Sequence, residues 1–429
     1  MKNKNWVDFV TVYRKKHDSD TKDVYDLDYM NAFRLMMDAI GQYPDKEFGV
    51  VNRRTRILRA YRYVVMAVTF MCETLCITYA WKNRKTLDFF ILGHLYGNIM
   101  TTAVLIQRST LPYQKSFRSL LQRFISKYHL IHLEYESDFV KQEHIRISKF
   151  CRIVTMILSL QIFCGVATFN LVPLYNNYRA GMFSDNKPEN ATLDHAVFFE
   201  LPFDYTTEVS AGYFAVVVFN FYPCFNVSCG LCAYDGLINI LVFHVWGHFN
   251  IIVHKLRTFP KLSLEDFQQQ DLVQEFNKQA FLKLKNIIQH YQFLKEFMSE
   301  TSAAFETTLC AYLSFHQLNG CVLLLECSAL TAAALGKYLV LTIVVFEQLI
   351  QTCMIFEQIN SKSERLADQV YDLPWEQMDV KNRKIVLVLL RNVQNTLSVK
   401  ALGVLPVGVM TMSAIIRTTV SYFVLLNTI

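Results

Sequence analysis

Apolar residues in this chain gather into seven runs, separated by charged stretches, near 61–81 ("YRYVVMAVTFMCETLCITYAW"), 88–107, 150–172, 209–234, 303–329, 337–358 and 402–427. Each approaches the roughly 20 residues that a helix needs to cross a bilayer core. The fourth run continues past one membrane thickness, through "DGLINILVFHVWGHFNIIVHKL" to about Leu256, with Asp235 where the bilayer should end. A helix of that length must project into water and pack there. Before the fifth run, "FNKQAFLKLKNIIQHYQFLKEFM" sets apolar residues at helical spacing among charges, the pattern of a helix with one buried face. The pattern predicts an all-α, seven-span transmembrane bundle with a helical domain on one side of the membrane.

Basic residues assign the side. Lys and Arg are dense in the N-terminal segment (Arg14, Lys15, Lys16, Arg53, Arg54, Arg56, Arg59), in 108–149, in 255–285 and in 362–384. The segment 173–208 holds only Arg179 and Lys187 against Asp185, Glu189, Asp194, Glu200, Asp204 and Glu208, and the connection near 330–336 has no basic residue. The N-terminus is therefore expected in the cytoplasm and, after seven crossings, the C-terminus outside. The short "KNRK" (Lys82, Arg84, Lys85) between spans one and two disagrees and is outvoted. The acidic loop carries the sequon Asn190-Ala191-Thr192, a candidate glycosylation site, while the sequon at Asn226 lies inside span four. The first sixty residues are charged throughout, so the first membrane helix is expected to serve as the targeting signal.

Composition agrees: 52% of residues are hydrophobic and 14% aromatic. Of the eleven Cys, nearly all fall in apolar runs and read as small buried hydrophobes; "CGLC" at Cys229–Cys232 has redox spacing but sits at lipid depth. "HVWGH" places His244 and His248 four apart, yet Val245 stands where a zinc protease has Glu, so no metal is expected. No glycine-rich phosphate loop appears, and no cofactor, catalysis or nucleic-acid binding is expected. The net charge of +6 calls for no partner beyond anionic lipid headgroups.

The C-terminal third carries more specific signals. In "FEQINSKSERLADQVYDLPWEQMDVKNRKIVLVLLRNVQNTLSVKALGVLPVGVMTMSAIIRTTVSYFVLL", Ser363 and Tyr371 precede Trp375, then a basic-apolar helix ("RKIVLVLLRNVQ"), then a last span ending in Ser421, Tyr422, Phe423 and apolar residues. This closely resembles the end of insect odorant receptors. Span number, polarity and loop sizes extend the resemblance over the chain, while the specific residues are confined to about the last 70. Members of that family are tetrameric odour-gated cation channels whose last helices line one pore. Their tuning subunits assemble with a co-receptor carrying a longer insertion between spans four and five. With only about 257–295 there, this chain looks like a tuning subunit, expected in the plasma membrane of olfactory sensory neurons as part of a heterotetramer.

Carried over residue by residue, the family pattern puts the pore constriction at Leu425 with Tyr422 and Thr428 nearby, where a ring of Leu side chains would gate by excluding water. The co-receptor type has Val at the gate and Gln near the mouth, so Leu425 and Thr428 imply an unequal contribution to conduction. Gly403, Pro406 and Gly408 fit a broken last helix. Tyr371 and Trp375 are the candidate subunit contacts, Trp375 serving equally well at the membrane interface.

The resemblance also implies a ligand pocket among spans two to six in the extracellular half of the membrane. The candidates are Phe90 and His94 of span two (with Phe89 and Tyr96), and Phe163 and Val166 of span three (with Phe169). Span four offers Tyr213, Phe214 and Val217, and span six offers Tyr338 and Thr342 (with Leu341). Such a site suits a small volatile odorant. His94 within a span must be paired or functional.

The expected organisation is a cytoplasmic segment 1–60, a six-helix region 61–358, a cytoplasmic anchor 359–400 and a pore-lining helix 401–429. A gustatory receptor of the same superfamily is the alternative, though "TTVSYFVLL" lacks that group's final Gln. A G-protein-coupled receptor needs the reverse topology and its Asp-Arg-Tyr and Asn-Pro-X-X-Tyr signatures. A transporter would be expected to relate its halves by an internal repeat, and none is found.

Overall fold

The computed structural model describes residues 24–44, 53–87, 89–184, 192–263, 265–327 and 339–428. Among these, ten α-helices carry almost all the order: α1 (Asp28–Ala39), α2 (Arg53–Asn83), α3 (Phe89–Arg108), α4 (Lys115–Arg123), α5 (Asp138–Arg179), α6 (Ala211–Arg257), α7 (Gln270–Cys327), α8 (Val340–Tyr371), α9 (Val380–Val393) and α10 (Val409–Thr428). A two-residue hairpin, β1 (Lys400–Ala401) with β2 (Leu405–Pro406), precedes α10. Each of the seven apolar runs falls on its own helix, α2, α3, α5, α6, α7, α8 and α10.

Four of these helices, α2, α5, α6 and α7, are long and apolar enough to cross a membrane. Their burial separates centre from periphery. The most apolar stretch of α6 is 89% buried inside the protein, against 22% for α2 and α5. Helix α6 is therefore the axle, packed by α5, α7, α8 and α3, while α2 and α5 turn apolar side chains such as Phe70, Met156 and Leu160 outward, as lipid-facing helices do.

At one end the long helices continue well beyond the length that crosses a bilayer. Helix α6 continues to Arg257, as its unbroken apolar run predicts, and α7 begins at Gln270, more than thirty residues before its apolar run. Three short amphipathic helices pack around them. In α1 the buried residues Tyr29, Met30, Phe33, Met36 and Met37 repeat at helical spacing and face α6. Phe117, Leu120 and Leu121 do the same for α4. In α9, capped by the Asp379 carboxylate accepting from the Asn382 N–H at 2.8 Å, Val386, Leu389 and Val393 point inward. The core is aromatic: Tyr128 stacks on Phe297 at 4.5 Å and Phe117 meets Phe305 edge-on at 5.7 Å.

"HVWGH" is absorbed into this core. His244 Nδ1 bonds the Ile240 carbonyl at 2.8 Å. His248 Nε2 lies 2.8 Å from the Tyr128 carbonyl and its Nδ1 3.0 Å from His290 Nε2, while Lys255 Nζ stands 3.4 Å from His290 Nδ1. The carbonyl fixes the order: His248 donates to Tyr128, His290 donates to His248, and Lys255 donates to His290. Both rings are then neutral, and burial holds His290 well below and His248 at about 4, under the usual imidazole range.

Two features of the sequence take definite form. The break to which Gly403, Pro406 and Gly408 pointed is a hairpin: Leu402 and Gly403 both take positive φ (49° and 69°), and Lys400 pairs with Pro406. Left-handed residues and a proline without an N–H hold off the helix until Val409. The "KNRK" stretch, whose positive charge conflicted with its side, meets its counter-charge there: Lys82 Nζ lies 2.6 Å from Glu200 Oε1 in the acidic loop, and Arg84 stacks 3.7 Å over Trp81.

Candidate functional site

A cavity of about 220 Å³ opens among α2, α3, α5, α6, α7 and α8. Its apolar walls come from residues such as Phe169 of α5, Val227 of α6, Phe315 of α7 and Val345 of α8. Its polar points are Glu73 of α2, His94 and Asn98 of α3, Gln161 of α5, Asn319 of α7 and Gln348 of α8.

The loop after α5 closes one end. Val197 and Phe199 line the cavity, and hydrogen bonds hold this stretch of the loop in place. Tyr205 donates to the Phe199 carbonyl and accepts from its N–H, both at 2.7 Å. The Glu200 N–H reaches the Leu75 carbonyl at 3.1 Å. His94 Nε2 sits 2.9 Å from the Ala196 carbonyl, its ring 5.5 Å from Phe169. His94 is thus a paired histidine that also forms part of the wall.

Next to a cavity residue, Leu231, lies a buried charge pair. Arg108 Nη2 meets Asp235 Oδ1 at 2.8 Å, and its Nη1 donates to the Leu231 carbonyl at 2.9 Å. Arg108 is 1% exposed, and its guanidinium lies 5.3 Å from the Tyr312 ring. Tyr312 in turn donates to the Gln348 carbonyl at 2.9 Å and meets Thr352 Oγ1 at 3.0 Å. Leu231 and Gln348 are themselves cavity residues.

Two contacts lead to the last helix. Asn319 lines the cavity, and the next residue, Gly320, packs so closely that a Cβ there would lie 3.3 Å from Thr419 Cγ2. Thr419 is wholly buried, and its hydroxyl reaches the Gln317 carbonyl at 3.5 Å. Further along α8, Glu357 Oε2 accepts the N–H of Val409, the first residue of α10, at 3.1 Å.

Of the expected pocket residues, His94 lines the cavity, together with Phe169 named beside them. Phe163 and Phe214 do not: they are 74% and 51% exposed on outward faces of α5 and α6. Val166 packs half-buried against the main core. Tyr213 and Val217 belong to a small cluster with Met182 and Leu193, where the Tyr213 hydroxyl accepts from Asn177 Nδ2 at 3.0 Å. Thr342 is buried beside Cys327 Sγ at 3.5 Å, outside the lining. Tyr338 and Asn190 lie outside the described residues, as do the side chains of Phe90 and Thr428. Helical registers explain the misses, since an apolar run exposes aromatics on every face and only packing selects one.

The expectation of a pocket among spans two to six also omitted α2, which contributes Thr69, Cys72, Glu73 and Cys76. Glu73 was visible in the sequence as the acidic residue of the first apolar run. Tyr422 and Leu425 are about half exposed on α10. Trp375 packs half-buried on the core, 6.4 Å from the exposed ring of Tyr371, and Ser363 is buried, its hydroxyl accepting the Leu397 N–H at 2.7 Å.

The chain is similar to known proteins in sequence and in fold. Over 196 residues the chain is 21% identical to Odorant receptor 22c of Drosophila melanogaster, a stretch that is 45% of this chain and 48%, about half, of that relative. The insect olfactory receptor OR5 from Machilis hrabei shares the fold with a TM-score of 0.71 at 11% identity, covering 93% of this chain and 97% of that one. The structure of OR5 in complex with eugenol matches with a TM-score of 0.67 at 12% identity, covering 94% and 99%. The model of the family described as 7tm odorant receptor matches residues 98–420, well over half of the sequence, and the chain belongs to that family.

Proposed function

We propose that this chain is the ligand-tuning subunit of an odorant-gated, non-selective cation channel, working with a co-receptor in a heterotetramer in the plasma membrane of olfactory sensory neurons. The observation that carries the reading is the path from cavity to last helix. Asn319 faces the cavity and its neighbour Gly320 rests on Thr419 of α10, so a ligand that moves α7 moves α10. OR5, which shares the fold, has been captured with eugenol, a small volatile.

Helix α10 supports a pore role. It leaves Met410, Val420, Tyr422, Val424 and Leu425 exposed on a single chain, an apolar surface that suits a helix gathered with its counterparts around an axis. Leu425 is the constriction in this reading, with Tyr422 and Thr428 beside it. Tyr371, Leu387 and Val388 are also exposed and, with Trp375, suit contacts between subunits in the water-side domain. The connection from α6 to α7, residues 258–269, is short, which favours a tuning subunit over the co-receptor.

Whole-cell recording tests the proposal in cells expressing the chain with and without an insect co-receptor, challenged with small aromatic and aliphatic volatiles. A rapid cation current appearing with co-receptor supports it; silence to every volatile despite surface expression overturns it.

A further inference from the structure

Resting on the reading of the cavity as the odorant site, we propose that the ligand it is built for is a small amine, bound as its ammonium ion against the carboxylate of Glu73.

Glu73 lines the cavity at membrane depth, and among the described residues its carboxylate has no hydrogen-bond or ion-pair partner. An ionisable group inside a membrane bundle is costly unless paired. None of the cavity-lining residues is Lys or Arg. Within the lining, a counter-charge for Glu73 is left to what enters.

The other orphaned groups point the same way. Gln161 and Asn319 both line the cavity, and among the described residues their side-chain oxygens, Oε1 and Oδ1, are buried without a hydrogen-bond partner. These are acceptors, and an unpaired buried acceptor is paid for by the fold until a donor arrives. An ammonium group brings up to three N–H donors and a charge. An alcohol brings one donor, and an ester, ether or hydrocarbon none. Phe169, Phe199 and Phe315 supply apolar surface for the carbon skeleton and aromatic faces for the cation. A cavity of about 220 Å³ sets the size as small.

The test compares three isosteres, phenethylamine, phenethyl alcohol and ethylbenzene, by concentration–response currents through wild type and Glu73→Gln with co-receptor. The expected result is half-activation by the amine at a concentration about tenfold or more below the alcohol. Glu73→Gln should raise the amine value about tenfold, leaving neutral volatiles within about threefold, and Glu73→Asp, which keeps the charge, should retain part of the preference. Equal potency of amine and alcohol, or an unchanged amine response in Glu73→Gln, overturns the proposal. Currents evoked by neutral volatiles and not by amines would overturn it while leaving the channel reading intact. If no volatile evokes current, binding of radiolabelled phenethylamine to the purified chain still decides: saturable binding lost in Glu73→Gln supports the site, and absence of wild-type binding overturns it.

Discussion

Glu357 and Val409 join two helices through one hydrogen bond: the α8 carboxylate accepts the first N–H of α10 at 3.1 Å. It caps the positive end of the last helix with a negative charge, from a neighbouring helix instead of from the local chain. Gly408 makes room for it, since a Cβ there would lie 2.5 Å from Glu357 Oε2, and Asn360 Nδ2 holds the approach by donating to the Val407 carbonyl at 3.2 Å.

Removing the cap should therefore destabilise the start of α10. Glu357→Ala is expected to cost about 1 kcal/mol, and Glu357→Gln, which keeps an acceptor oxygen, about half as much. Gly408→Ala should reproduce the loss by displacing the carboxylate. Thermal unfolding of the purified protein in detergent checks this; a melting temperature unchanged in all three variants would contradict it.

The Arg108–Asp235 pair gives a larger effect. With Arg108 almost wholly buried, replacing either partner by Ala leaves the other charge unpaired at a cost of about 3–5 kcal/mol. Surface biotinylation should find Arg108→Ala and Asp235→Ala retained inside the cell. The double replacement Arg108→Met with Asp235→Leu should restore surface protein; equal loss in single and double variants would mean that the pair does more than neutralise itself.

Acid should loosen the water-side domain. His248 and His290 are held neutral when folded, with pKa values below the unfolded value of about 6.5. The unfolded chain thus binds more protons, and stability rises with pH across that window. It is complete above about pH 6.5 and falls by about 1.4 kcal/mol per unit for each histidine as pH drops below it, for His248 down to about 4. Melting temperatures compared at pH 7.5 and pH 5.5 should fall with acidification, and less so in His290→Asn.

At the proposed constriction, Leu425→Ser should admit water and ions without odorant. The expected outcome is a raised holding current in unstimulated cells, relieved by replacing the bath cations with an impermeant one. A resting conductance identical to wild type would move the gate elsewhere on α10.

Much of the fold was legible because hydropathy and length act locally. The overlong fourth run predicted that α6 continues well past one membrane thickness, and the spacing in "FNKQAFLKLKNIIQHYQFLKEFM" predicted the helix before span five. The pocket was less legible. Phe163 and Phe169 look alike in a run that is apolar on every face, yet one is exposed and the other lines the cavity, a choice made by how α5 rotates against α6 and α8. Polar residues carried a signal the sequence reading did not use: Glu73, Gln161 and Asn319 stand within apolar runs, where a polar group is costly, and all three line the cavity. The break before α10 was legible in Gly403, Pro406 and Gly408, but its hairpin form was not, because its left-handed pair begins with Leu402, a residue that rarely takes such a conformation.

The most direct test of an odorant-gated channel is an excised membrane patch from cells expressing this chain with co-receptor, bathed in salt solution free of nucleotides and cytosol. The account predicts that an effective volatile opens discrete cation-selective events within the patch. Current that survives in whole cells but vanishes on excision, returning only with guanine nucleotide, would contradict direct gating and place the channel in another protein.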